Sequence, residues 1–159
     1  MKGTLFSIIL LIFFMTTTIY NPEKEQAVIQ TGLHELTTQL VNTFIPTASL
    51  NKSFFVNDIP ARLPLETNQQ MLASVLSGLL SAIVTHAKES CIRLSAKIYG
   101  NVVLVQVKDS ASSNTYAVEN EVRKLQPIAE KIFGTVSVTS QRKNLTTISF
   151  GFVNLPVID

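Results

Sequence analysis

Between Met71 and Ser110 the spacing of apolar residues switches once, from helical to alternating, which restricts the chain to folds that lay a helix on a sheet. Met71, Leu72, Val75, Leu76, Leu79, Leu80, Ile83 and Val84 fall at i, i+1, i+4 and i+5, the stripe of a helix pressed onto a core. Thr67 and Asn68 offer side-chain oxygens to cap its start. After Cys91, Ile92, Leu94, Ala96 and Ile98 face one way and Arg93, Ser95 and Lys97 the other, as in a strand. Tyr99-Gly100-Asn101 supplies turn residues, and Val103, Val105 and Val107 alternate along a second strand ending in Lys108-Asp109-Ser110. The hairpin therefore carries Asp109 to the end of a sheet.

Downstream, Tyr116, Val118, Val122, Leu125, Ala129 and Ile132 have helical spacing, which Pro127 interrupts or restarts and Gly134 ends. Val136 and Val138 alternate with Thr135, Ser137 and Thr139; a turn follows at Gln141 to Asn144, and Ile148, Phe150 and Phe152 mark a closing strand. Upstream, Val28, Ile29, Leu33, Leu36, Leu40, Val41 and Phe44 form the stripe of a helix from Glu23 to about Phe44, which Pro46 is expected to stop. Five strands and three or four helices predict an α+β chain, a two-layer α/β sandwich with helices on one face, preceded by an N-terminal helix.

With 159 residues, 46% of them hydrophobic, the chain can bury a core of its own. A formal charge of +2 is too small to imply nucleic acid, and Arg123, Lys124, Lys131, Arg142 and Lys143 read as a solvated face. The N-terminus stands apart. Lys2 precedes an apolar run from Leu5 to Met15, shorter than the roughly 20 residues that span a bilayer comfortably. Residues 1–20 resemble a signal segment without a small-residue cleavage site, or a short anchor; if 4–20 insert, the protein is membrane-anchored or exported, and otherwise cytoplasmic. The expected organisation is a signal-like or anchor segment at 1–20, a helical segment at 21–50 and a domain at 51–159.

Few residues offer chemistry. One cysteine, Cys91, cannot form an internal disulfide, and two histidines without a carboxylate cluster leave no transition-metal site. No nucleophile motif with hydrolase spacing occurs. His34, beside Glu35, is expected to pack or lie on the surface, and His86 to sit against the C-terminal dipole of its helix.

The frame VLSGLLSAIVTH…IRLSAKIYGNVVLVQVKDS resembles the ATPase domain shared by sensor histidine kinases, DNA gyrase, MutL and heat-shock chaperones, in which an asparagine-bearing helix precedes a hairpin ending in Asp-x-Gly-x-Gly. FFVNDIPARLPLETNQQMLASVL, LQPIAEKIFGTVSVTS and NLTTISFGFVNLP are similar to the flanking strand and turn, the last helix with its strand, and the closing strand. The resemblance covers Ser53 to Pro156 and implies a mixed five-stranded sheet. It also implies that Asp109 is the adenine-reading carboxylate and that Thr146 keeps the threonine of the closing motif. The magnesium-holding asparagine falls at Ala82, whose methyl group has no oxygen for a hard cation. The asparagine one turn earlier falls at Gly78 and the basic residue after it at Thr85. The glycines after the aspartate fall at Ala111 and Ser113, and Lys143-Asn144-Leu145-Thr146 replaces Gly-x-Gly-Thr. No glycine occurs from Asp109 until Gly134, so a glycine-rich phosphate cradle is missing.

Two functions follow from these residues. The first is a non-catalytic, cofactor-free relative acting as a regulatory or protein-interaction module in signalling, with a protein partner or self-association through the helix 23–44 and no nucleic acid. The second is an ATP-binding, kinase-like protein that reads adenine through Asp109. Asp109 has a plainer role open to it as well, because a strand-end aspartate often caps the next turn.

Overall fold

The structure, a computed structural model, describes residues 31–111, 114–141 and 145–156. The segment expected at 1–20, the beginning of the helix expected from Glu23 and the turn at 142–144 lie outside these residues. The described residues belong to one compact unit spanning Thr31–Asp159. No helix among them is long and apolar enough to cross a membrane.

Helix α1 is Leu33–Leu50, and two features of the sequence expectation give way there. Gly32 is extended and Leu33 N–H bonds to Leu63 O at 2.9 Å, so a long-range backbone bond starts the helix in place of a continuation from upstream. Pro46 lies inside α1 and does not stop it. The helix stops at Asn51, where Lys52 turns left-handed (φ 55) and the Lys52 and Ser53 N–H groups reach back to Ser49 and Ala48 carbonyls at 3.0 and 2.8 Å. These are the two bonds of a Schellman closure. Burial of Ala48 keeps the turn after Pro46 on the core.

Strand β1 (Phe54–Asn57) leads through Ile59, Leu63 and Leu65, all buried, to helix α2 (Gln69–His86). Asn68 caps α2, its side-chain oxygen accepting Met71 N–H at 3.0 Å. Leu72, Val75, Leu76, Leu79, Leu80, Ala82, Ile83 and Val84 are buried, each large side chain stabilising by about 1.5–3 kcal/mol. At the far end Asn51 ties the two helices, its amide donating to Val84 O at 3.1 Å while its carbonyl accepts Glu89 N–H at 2.9 Å.

Strands β2 (Cys91–Tyr99) and β3 (Val102–Asp109) form the expected hairpin, with Gly100 left-handed at its turn. Helices α3 (Thr115–Arg123) and α4 (Gln126–Glu130) follow, Pro127 in the first turn of α4, then β4 (Thr135–Gln141) and β5 (Leu145–Val153). The sheet order is β1-β2-β3-β5-β4; β1 and β2 are parallel and the other pairs antiparallel. Ile92, Leu94, Val103, Val105, Val107, Ile148, Phe150 and Phe152 are buried on the helix-facing side. Ile98 and Tyr116, members of the alternating and helical spacings, are 57% and 75% exposed: Ile98 lies near the hairpin tip and Tyr116 in the first turn of α3.

The sequence expectation gives the end of the last helix to the backbone freedom of Gly134, yet Phe133 takes the left-handed conformation (φ 52). Gly134 serves another need: an added Cβ would lie 2.8 Å from a Phe150 ring carbon and 3.0 Å from the Ala129 and Gly151 carbonyl oxygens. Gly134→Ala is expected to destabilise the protein by about 1–3 kcal/mol through overpacking against backbone. Phe133→Gly, at a 74% exposed site, is expected to raise stability by up to about 1 kcal/mol by removing left-handed strain. Urea unfolding of the two variants beside the parent checks both signs.

Candidate functional site

Alternation along β3 puts Asp109 on the same face as Val103, Val105 and Val107, and the sheet register sets it between Ile92 of β2 and Thr146 of β5. Asp109 and Thr146 are thus brought together as direct cross-strand partners, and both are fully buried. One carboxylate oxygen, Oδ1, accepts Ala111 N–H at 3.1 Å and so caps the turn that leaves β3. The other, Oδ2, is buried and has no hydrogen-bond partner among the described residues. A buried polar atom left this way costs about 1–3 kcal/mol, more when charged.

Only residues 110–114 separate β3 from α3. Asn114 caps α3 by accepting Ala117 N–H at 3.1 Å, and Thr115 in the first turn shares a 2.7 Å hydrogen bond with the Thr146 hydroxyl. Sequence reasoning missed both residues; the signal was the Asn-Thr pair just before an apolar helical spacing. The first turn of α3 is therefore fastened to the strand position opposite Asp109.

The same helices cover α2. A Cβ at Gly78 would lie 2.5 and 2.7 Å from the two Leu125 methyl groups, so a side chain there displaces Leu125. Ala82, one turn on, is 1% exposed. His86, in the last turn of α2, bonds Glu121 of α3 at 3.1 Å. His34 packs, its Nδ1 within 2.7 Å of Ile59 O. A hollow of about 420 Å³ beyond the end of α2 is lined by Lys52, Thr85, His86, Lys88 and Asn114 among others, and neither Asp109 nor Thr146 reaches it. Among the described residues no group of histidine, cysteine and carboxylate side chains is placed to hold a metal.

No protein-family model matches the sequence, and no curated protein matches it. Solved structures do. The chain is similar to the Acinetobacter baumannii histidine kinase AdeS (TM-score 0.65, 11% identity, 77% of this chain and 65% of that one). It is similar to the nucleotide-free catalytic domain of histidine kinase ThkA (TM-score 0.62, 16% identity, 79% and 96%) and to a histidine kinase from Burkholderia phymatum (TM-score 0.65, 14% identity, 97% and 85%). It thus spans slightly less than two thirds of the AdeS chain. This domain has the histidine-kinase ATPase fold, an open, mixed five-stranded sheet with helices.

The Thr115–Thr146 bond can be isolated. Thr115→Val and Thr146→Val should each destabilise by about 1–3 kcal/mol, since each strands the other hydroxyl. The double variant should cost less than the sum, giving a coupling of about 0.5 kcal/mol or more in a urea-unfolding double-mutant cycle.

Proposed function

We propose that this protein is a non-catalytic module of histidine-kinase ATPase fold that acts in signalling through protein partners. The observation that carries this is the covering of the would-be nucleotide side of α2: Leu125 fills the space at Gly78, Ala82 is enclosed, and a five-residue link runs from β3 to α3. A magnesium ion needs several oxygen ligands in near-octahedral array, and the two positions where the resemblance calls for asparagine carry a hydrogen atom and a methyl group. The phosphate groups of a nucleotide need converging backbone N–H donors, while the Ala117 and Val118 N–H groups at the start of α3 are taken by Asn114 and those of Ile128 and Ala129 in α4 by Leu125. A partner protein asks only for an intact surface. ThkA has been solved in complex with the response regulator protein TrrA, which supports a protein partner for this domain also. The helix 23–44, described from Leu33 onward, is the proposed surface for that protein partner.

One observation favours a second function. Oδ2 of Asp109 is an acceptor without a donor among the described residues, and the exocyclic amine of adenine is such a donor. Retained adenine binding would require α3 to move away from Thr146 and open the site.

Calorimetric titration of the full chain with a non-hydrolysable ATP analogue, with and without magnesium, separates the two. The expected result is no binding heat at ~1 mM analogue, corresponding to an affinity weaker than about −4 kcal/mol. Binding in the micromolar range that Asp109→Asn abolishes would replace the first function with the second. The asparagine in that variant keeps the oxygen that caps the turn, so a loss of binding would not reflect a broken turn.

A further inference from the structure

The two edges of the sheet are treated differently. β1 is four residues long, carries α1 against it and runs into Asp58, which pairs with Arg93, and then Pro60. Short length, charge and proline are the devices that keep an edge from pairing with another chain. Within its own seven residues β4 has none of them, although Arg142 and Lys143 follow it in the sequence. It is seven residues, Thr135 to Gln141, with no charge, no proline and a one-to-one register with β5 that leaves no bulge. Its residues are β-branched or small and polar, suited to an extended, paired strand.

One outward group of β4 is already taken. Val136 N–H bonds the Gln126 side-chain oxygen at 3.0 Å and so points away from β5. Because backbone groups alternate in direction along an antiparallel strand, Val138 and Ser140 also present their N–H and C=O groups outward. These four groups fit a second copy of the same strand. With a two-fold axis through Thr139, Val138 of one chain lies opposite Ser140 of the other, and each such pair exchanges two hydrogen bonds. The register uses both free outward N–H groups and leaves the Gln126–Val136 bond intact. It sets Thr139 against Thr139 and Ser137 against Gln141, with no like charges opposed. Beside β4, the α3 wall of a groove of about 410 Å³ carries Glu119 and Arg123, paired at 3.0 Å, an acid and a base that two copies can exchange across the axis.

We propose that β4 is a self-pairing edge through which two copies of this chain join antiparallel, making one continuous ten-stranded sheet. The assembly closes at two, because the outer edges are then the two protected β1 strands. It is independent of whether nucleotide binds.

The pairing is tested with single cysteines in a full-length Cys91→Ser background. Thr139 faces its counterpart in a non-hydrogen-bonded pair, with Cβ atoms about 4.5–5.5 Å apart, within reach of a disulfide after small adjustment. Thr139→Cys should form a covalent dimer under mild oxidation, whereas Lys97→Cys on the same open face of β2 should not. Thr139→Lys, which opposes two charges at the axis on an exposed position, should convert the dimer to monomer in sedimentation equilibrium, and that monomer should still unfold cooperatively, at the midpoint the parent reaches when diluted to monomer. The proposal is overturned if the parent sediments as a monomer, or if Thr139→Cys and Lys97→Cys cross-link alike. Persistence of the dimer in Thr139→Lys overturns it too, as does growth of the parent into a series of larger species, which would mark the edge as an aggregation site.

Discussion

The contact of Leu125 with Gly78 fixes how closely the α3–α4 corner approaches α2, and the helical layer is arranged around that approach. α2 touches α1, α3, α4 and β3, so its position determines where the other helices among the described residues lie. With a hydrogen atom at position 78, the Leu125 methyl groups come within 2.7 Å of where a Cβ would be. Close packing of this kind transmits small changes because interiors have little free volume. The covering of α2, the burial of Ala82 and the His86–Glu121 contact follow from the same approach of α3 to α2.

Asp109 shows how a polar residue persists in such a setting. Half of its carboxylate has structural work, since Oδ1 holds Ala111 N–H and shapes the exit from β3. The other half has no partner among the described residues, although Thr146 directly across the sheet carries a hydroxyl. That hydroxyl is engaged by Thr115 instead. The hydrogen-bonding capacity at this end of the sheet is thus spent on anchoring α3, and the aspartate carries the residual cost. The unpaired oxygen is what a purely structural account of this residue leaves unexplained.

Much of the fold was legible in the sequence because it rests on local signals. The change of period at Cys91, the Asn68 cap, the Gly100 turn and the alternating valines of β3 each depend on a few neighbouring residues. What could not be read depends on distant ones. α1 starts where Leu33 meets Leu63 and passes through Pro46 because Ala48 is buried and Lys52 and Ser53 close its end. Phe133, not the neighbouring glycine, adopts the left-handed turn because Gly134 is needed where three groups crowd it. At the site, the pairing of Asp109 with Thr146 follows from register, whereas the Thr115 bond required knowing that α3 returns over the end of β5.

The departures at Gly78 and Ala82 are best understood together with the short link from β3 to α3. A side chain at position 78 would require the ends of the half-buried Leu125 to move aside. A longer, glycine-rich link would free α3 from Thr146 and add chain entropy to the folded state's cost of ordering. Each pocket-forming feature is therefore in direct conflict with a packing contact that this domain makes. On the proposed function, restoring one alone would leave the other packing contacts in place. The same closure leaves the sheet's open face and its β4 edge as the surfaces still available to a partner.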